Sequence, residues 1–276
     1  MDIGIGLPST IPGVEREPLL EWARRADQSG FSTLGVLDRL VYPNLDPLIA
    51  LAGAAAVTER IGLTSSIVIG PYRNSAVLAK QTASIDVLSG RRMTLGIAPG
   101  GRPDDYAAAK VEFGERGNRF DEQLADLTRI WAEDEIGPEA APELIVGGHV
   151  EASFQRVARY GAGWVAGGLP PDAIRSLVPA VRQAWAAAGR PGEPRILGLA
   201  YFALGPNAEE AARSYLTHYY AFVGDRADVI AASAATDADT VKQYAAAYAD
   251  AGLGELIFFP CSTEADQVDR LAEVIS

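Results

Sequence analysis

Eight short apolar runs, each ending at glycine, proline or a charge, constrain what this chain can fold into. They are IGIGL (3–7), TLGVLD (33–38), LTSSIVIG (63–70), MTLGIAP (93–99), ELIVGG (143–148), GWVAG (163–167), RILGLAYFAL (195–204) and GELIFFP (254–260). Most are apolar at every position rather than at alternate ones, as strands covered on both faces are. Helical period fills the gaps between them. PLLEWARRADQSG gathers Leu19, Leu20, Trp22, Ala23 and Ala26 on one broad face and stops at Gly30. In NLDPLIALAGAAAVTER, Asp46 is placed to cap and Pro47 to take the first helical position.

One helix-to-strand joint recurs, as SGFSTLGV (29–36), YGAGWVAG (160–167) and AGLGELIFF (251–259). It predicts a left-handed glycine at the helix end and a direct turn into the next strand. Strand–helix alternation repeated eight times predicts an α/β fold, a (β/α)8 barrel formed as one domain over residues 1–276. A doubly wound open sheet is the main alternative, and no linker to a second domain supports it. GGRPDDYAAAKVEFGERGNRF (100–120) is read as a long irregular loop after strand four. Such loops, on the C-terminal face of a barrel, are where active sites are built.

A net charge of −12 argues against nucleic acid or an anionic membrane as the main partner. The apolar runs fall short of the ~20 residues that cross a bilayer, and the first residues show no signal-peptide pattern. A lone Cys261 excludes an internal disulfide, so a cytoplasmic protein is expected. His149 and His218 lack metal-ligand spacing, and no metal is expected. Lys80, Lys110 and Lys242 fall outside the strands, which disfavours Schiff-base chemistry.

In a barrel, residues at the strand ends share one mouth. They include Asp38, Arg39, Gly100, Arg102, Asp104, Asp105, Gly147, Gly148, His149, Gly167, Gly168 and Cys261. The set is rich in backbone amides and poor in nucleophiles. Gly147-Gly148 and Gly167-Gly168, each followed by a helix, suit a phosphate held by N–H groups and helix dipoles, although such glycines also make ordinary tight turns. Asp38-Arg39 reads either as a ligand-binding or proton-shuttling pair or as a rim ion pair. His149 is open to acid–base or phosphate-binding duty, or to none. Asp104-Asp105 is read as a solvated acid pair. A barrel with few reactive side chains points to a borrowed organic cofactor.

IGLTSSIVIGPYRNSAVLAKQTASIDVLSGRRMTLGIAPGG (61–101) resembles the central signature of the luciferase-like flavin and deazaflavin oxidoreductases. FGERGNRFDEQL (113–124), PELIVGGHVEASFQRVARYGAGW (142–164) and YADAGLGELIFF (248–259) resemble further blocks in the same order. The resemblance implies a (β/α)8 barrel, homodimeric, with FMN or coenzyme F420 at its C-terminal mouth. It also implies a small organic substrate and a separate flavin or F420 reductase. It places Ser66-Ile67 where the family often has a non-prolyl cis peptide supporting the isoalloxazine ring. Asp38 falls near the reactive centre. Ala98, Gly100 and Asp104 border the cofactor, and Gly147, Gly148, His149, Gly167 and Gly168 lie by its phosphate.

Two departures stand out. Arg39 occupies a position where many relatives have histidine, which puts a proton shuttle there in doubt. Pro99-Gly100-Gly101 replaces a more usual Gly-x-Gly-Trp. The expected function is monooxygenation or hydride transfer by reduced FMN or F420. The alternatives are a flavin-binding barrel without turnover and a non-redox enzyme acting on a phosphorylated metabolite.

Overall fold

The computed structural model describes residues 1–133 and 136–275. Its strands are β1 Asp2–Gly6, β2 Thr33–Val36, β3 Gly62–Ser65, β4 Val68–Ile69, β5 Met93–Ala98, β6 Glu143–Gly147, β7 Gly163–Gly167, β8 Arg195–Phe202 and β9 Glu255–Pro260. All pairings between them are parallel. The sheet runs from β3 through β2, β1, β9, β8, β7 and β6 to β5, and β3 pairs with β5 to close the ring. The third stave is split into β3 and β4 by a cis peptide between Ser66 and Ile67. Thr64 stands opposite Thr94 below the break and Val68 opposite Ile97 above it. One extra residue is therefore looped out of the ladder, as in a β-bulge.

Helices α1 Arg16–Gln28, α2 Pro47–Ala55, α3 Ser75–Leu88, α4 Pro103–Ala108, α5 Arg116–Glu133, α6 Glu151–Tyr160, α7 Pro171–Ala187, α8 Ala208–Tyr219, α9 Arg226–Ala232, α10 Ala238–Asp250 and α11 Asp266–Ile275 accompany the strands. Asp46 does cap α2, its carboxylate accepting from the Leu48 and Ile49 amides, with Pro47 as the first helical residue. Three elements go beyond the sequence reading. The stretch 100–120 contains α4 and a 3-10 turn at Phe113–Glu115, and the connection after β8 contains α9. The repeated joint also needs correction. Gly252 is left-handed (φ 98°), but Gly30 and Gly161 are not. At Gly161 the reason for glycine is close approach: a methyl would sit 3.2 Å from the Gly163 and Val157 carbonyls.

Alternation along the strands divides two cores. On β8, Ile196, Ala200 and Phe202 face the helices, while Leu197, Leu199 and Tyr201 face the barrel axis. On β9, Leu256 and Phe258 face out, and Ile257, Phe259 and then Cys261 face in. Gly6 and Gly35 on β1 and β2 leave room for the Phe259 ring. Across the barrel, small residues on β5 and β6 leave room for the bulge.

At the opposite end of the barrel, side chains cap helix ends. Arg60 donates to the Ala26, Asp27, Ser29 and Phe31 carbonyls at the end of α1, while Asp27 accepts from the Glu59, Arg60 and Ile61 amides. Burial pushes the Asp27 carboxyl up, but the three amides outweigh it and hold the group below its ordinary range. A depressed carboxyl contributes stability that is present above its unfolded pKa and lost as pH falls through the folded one. Asp27→Asn is therefore expected to cost about 1 kcal/mol at neutral pH and progressively less in acid. Urea melts of both proteins at pH 7 and pH 3 check this.

Candidate active site

The mouth is built around the bulge. A methyl on Gly96 would overlap the Ser65 carbonyl oxygen, and a methyl on Gly147 would lie 3.1 Å from Ala98 Cβ and 3.4 Å from Ile67. Gly96, Ala98 and Gly147 thus form the socket that seats Ile67. Its side chain is half-buried, while those of Ser65 and Ser66 are buried. Ser65 Oγ donates to the Gly96 carbonyl (2.8 Å), but Ser66 Oγ is buried without a protein partner. Beside the socket, Gly100 is left-handed (φ 67°), and a methyl there would press on Ile69 at 3.0 Å. Tyr106 ties the loop down by donating to the Pro99 carbonyl at 2.5 Å.

The glycine rim lies on the next two staves. Gly148 has φ 128°, and a Cβ there would overlap Ser153 Oγ. The helix it leads into, α6, has Val150 at its N-cap with no side-chain cap; the Ser153 amide turns back onto the Val150 carbonyl (2.8 Å), and the Glu151 and Ala152 amides ahead of it are the end groups that no side chain caps. Gly167 is also left-handed (φ 64°). His149 joins the two staves: its Nε2 lies 3.0 Å from the Ala166 carbonyl and its ring stands edge-on to Trp164, whose indole donates to the Gly148 carbonyl. Gly168 is exposed, and a Cβ added there would lie 3.3 Å from Leu199 Cδ1. A backbone cradle at a helix N-terminus is what a phosphate needs. The orphaned Ser66 hydroxyl and the small-residue socket beside it give a flat ring a seat, so the residues present fit a phosphate-bearing flavin or deazaflavin.

Asp38 and Arg39 are not paired with each other. Asp38 accepts from Arg73 through both oxygens (3.0 Å each), from the Ile69 amide (2.9 Å) and from the Tyr72 hydroxyl (3.3 Å). Burial pushes its carboxyl above the ordinary range, with Arg73 and the amide pulling the other way. Tyr72 is likewise raised by burial and then by the Asp38 charge. Arg39 is buried too, which sets aside the rim reading. It donates to the Tyr219 carbonyl (2.5 Å) and the Val41 carbonyl (3.2 Å), lies 3.8 Å from Asp104, and stacks over Tyr42 at 4.5 Å. It fastens the end of α8 over the mouth.

Asp105 is not solvated. It is fully buried, bound to Arg102 at 3.0 Å and accepting from the Leu40 and Val41 amides, while Arg102 also donates to the Asp38 carbonyl (2.9 Å). Only Asp104 of the acid pair is exposed. Arg39, Arg73 and Arg102 are all engaged inside the protein, which leaves them poorly placed to serve a long anionic tail. Cys261 is buried in the inner core and its thiol is pushed up by burial, so it is no nucleophile. Among the described residues there is no group of three or more potential metal-ligating side chains.

The reading of strand ends missed the aromatic cap. Tyr215, Tyr219 and Tyr220 come from α8 and the residue after it, and Tyr201 rises from β8 to meet them. Tyr215 bonds Thr10 at 2.7 Å, Tyr42 bonds His218 at 2.8 Å, and Tyr201 bonds Tyr220 at 2.8 Å. The signal was present in the run SYLTHYYAFV (214–223), whose tyrosines are too many for a solvent-facing helix. A groove of about 570 Å³ between α8 and α9, lined by Glu209, Arg213 and Asp228, contains none of the strand-end residues.

Comparison with known proteins agrees with this geometry. Residues 1–275 match the family model of the luciferase-like monooxygenases. An uncharacterised protein of Mycobacterium tuberculosis is 26% identical over 217 residues, covering 64% of this chain and 75% of that one. An FMNH2-dependent dimethylsulfone monooxygenase of Pseudomonas putida is 25% identical over 187 residues, 60% of this chain and 50% of that protein. The chain thus aligns with about half the length of that enzyme. Among solved structures, a monooxygenase from Streptomyces bottropensis superposes with TM-score 0.80 at 22% identity, covering 100% of this chain and 98% of that one. An F420-dependent secondary alcohol dehydrogenase gives 0.81 at 16% identity, with 99% and 97% covered. With a family model matched along nearly its whole length and the barrel that goes with it, the chain belongs to the luciferase-like monooxygenase family of oxidoreductases.

Proposed function

We propose that this chain, folded as one barrel domain, uses reduced FMN or F420 to monooxygenate or transfer hydride to a small organic substrate. The observation that carries the reading is the Ser66–Ile67 bulge, seated on Gly96, Ala98 and Gly147 beside an uncapped glycine cradle. Relatives and neighbours named for FMNH2 and for F420 support the same pair of cofactors. When bound, such a cofactor supplies hydride, or the electrons that activate dioxygen. The chain's own residues do the rest. Gly148, His149 and the first turn of α6 hold the phosphate, with Gly167 and Gly168 flanking it. Ile67 backs the ring, Ser66 Oγ offers it a hydrogen bond, and Ala98, Gly100 and Asp104 border it. Asp38, locked by Arg73, sets a fixed shape beside the ring. Arg39 shuttles no proton; it holds the cap that excludes water.

A separate reductase supplies the reduced cofactor, and the setting is cytoplasmic. A homodimer is part of the proposal: α2 is apolar on nearly every side, yet Ile49 on it and Val77, Val87 and Leu88 on α3 stay exposed. Sedimentation velocity at micromolar concentration is expected to show one species of twice the chain mass.

Turnover is tested by mixing the protein with reduced FMN or F420 and a panel of small ketones, aldehydes and sulfones, with and without oxygen. The expected result is protein-dependent, substrate-dependent oxidation of one cofactor. Binding with no oxidation across the panel contradicts the proposal and favours a carrier barrel. Phosphate-ester binding with no affinity for either cofactor favours the non-redox enzyme.

A further inference from the structure

The Tyr201–Tyr220 pair has one hydroxyl proton more than the protein uses. Two phenols joined by a single 2.8 Å bond consume one O–H, and no other acceptor for either hydroxyl is found among the described residues. The geometry indicates which proton is spare. Tyr201 faces the barrel axis and is 6% exposed, so its buried hydroxyl must donate to be satisfied. Tyr220 is half-buried at the mouth and accepts that bond, which leaves its own O–H to donate outward.

The surroundings of that donor are apolar and charged in a particular pattern. Tyr220 borders the inner core formed by Leu37, Leu199, Tyr201 and Phe259, and Ile67 of the bulge borders the same core. Arg39 and Arg102 flank it, each within 5.4 Å of the Phe222 ring and engaged with the neighbouring Tyr219. Burial raises the Tyr220 phenol, while the Tyr201 bond and the two guanidiniums act to lower it. A hydroxyl held so is a better donor than an isolated buried phenol.

We propose that Tyr220 is a specificity-determining residue that donates a hydrogen bond to an oxygen of the substrate, with Tyr201 positioning it. The substrate class that follows is a small, largely apolar molecule carrying a carbonyl or hydroxyl oxygen. This rests on the redox-barrel reading above, because the substrate is taken to lie beside the cofactor ring.

The test uses two probes of nearly equal shape, cyclohexanone and methylenecyclohexane, titrated into cofactor-saturated protein and followed by cofactor fluorescence and calorimetry. Cofactor affinity is measured first. A folded wild type that takes neither FMN nor F420 overturns the redox reading, and this inference with it. With cofactor bound, the wild type is expected to hold the ketone about tenfold or more tighter than the alkene. In Tyr220→Phe the ratio should fall to nearly one with cofactor affinity unchanged. Tyr201→Phe should reduce the ratio in part. Tyr215→Phe, which removes a hydroxyl of the same cap that bonds Thr10 instead, should leave it unchanged. A merely structural role for Tyr220 would move both probes together. A wild-type ratio near one, or a ratio retained in Tyr220→Phe, overturns the proposal.

Discussion

Gly96→Ala is expected to abolish cofactor binding and to destabilise the fold by about 3 kcal/mol or more. The added methyl would overlap the Ser65 carbonyl oxygen, which is backbone and has no rotamer to escape through. Relief requires the bulge at Ser66–Ile67 to shift, and the bulge is the proposed seat of the ring. At Gly147 the methyl would meet Ala98 Cβ and Ile67 at 3.1 and 3.4 Å, contacts that a shift of a few tenths of an ångström would ease. Gly147→Ala is therefore expected to weaken binding about tenfold with little loss of stability. Thermal melts and cofactor titrations on the two variants check this. Equal effects would show that the bulge is not what glycine protects at Gly96.

The second large effect is at Arg73. Arg73→Ala leaves the Asp38 carboxylate buried with only the Ile69 amide and the Tyr72 hydroxyl. Removing one partner of a buried pair costs about 3–5 kcal/mol; the slight exposure of Arg73 lowers this to about 2–4. The pH dependence has a definite sign. Burial already holds the Asp38 carboxyl above its ordinary range, and losing Arg73 raises it further. A raised carboxyl favours the protonated folded state, so the variant's deficit should shrink in acid and grow as pH rises through the folded pKa. Asp38→Asn, which keeps an acceptor for Ile69, should be milder. Urea melts of both variants from pH 4 to pH 8 distinguish a buried unpaired charge from a simple loss of packing, which would not vary with pH.

How much of this was legible in the sequence follows from the range of the forces involved. Local rules placed α2 correctly, because Asp46 and Pro47 decide its start without help from the rest of the chain. The strands were legible because burial on both faces leaves long apolar runs. The left-handed joint held only at Gly252, since the identity of a glycine does not say whether φ or close approach demands it. At the site, Asp38 could be singled out at a strand end, but its partner, Arg73, lies 35 residues away, in the turn that follows β4. Arg39 is adjacent to Asp38 in sequence, yet the two have different partners: the Tyr219 and Val41 carbonyls for Arg39, and Arg73 for Asp38. Asp105, too, is held partly from outside its own stretch: beside Arg102, the Leu40 and Val41 amides of another loop donate to it. The cap is not legible from strand ends because its tyrosines Tyr215, Tyr219 and Tyr220 come from α8 and the residue after it.

The bulge and the glycine cradle are proposed to form one seat for a phosphate-bearing flavin or deazaflavin. The most direct measurement is equilibrium titration of the apoprotein with FMN and, separately, F420, oxidised and reduced, alongside Gly148→Val. Valine there would have to adopt φ near 128° with its Cβ on Ser153 Oγ, so the cradle cannot form. Tight, saturable binding of one cofactor by the wild type is expected, with a loss of about a hundredfold or more in the variant. Folded wild-type protein that binds neither cofactor, or a Gly148→Val variant that binds as well as the wild type, would contradict the proposal.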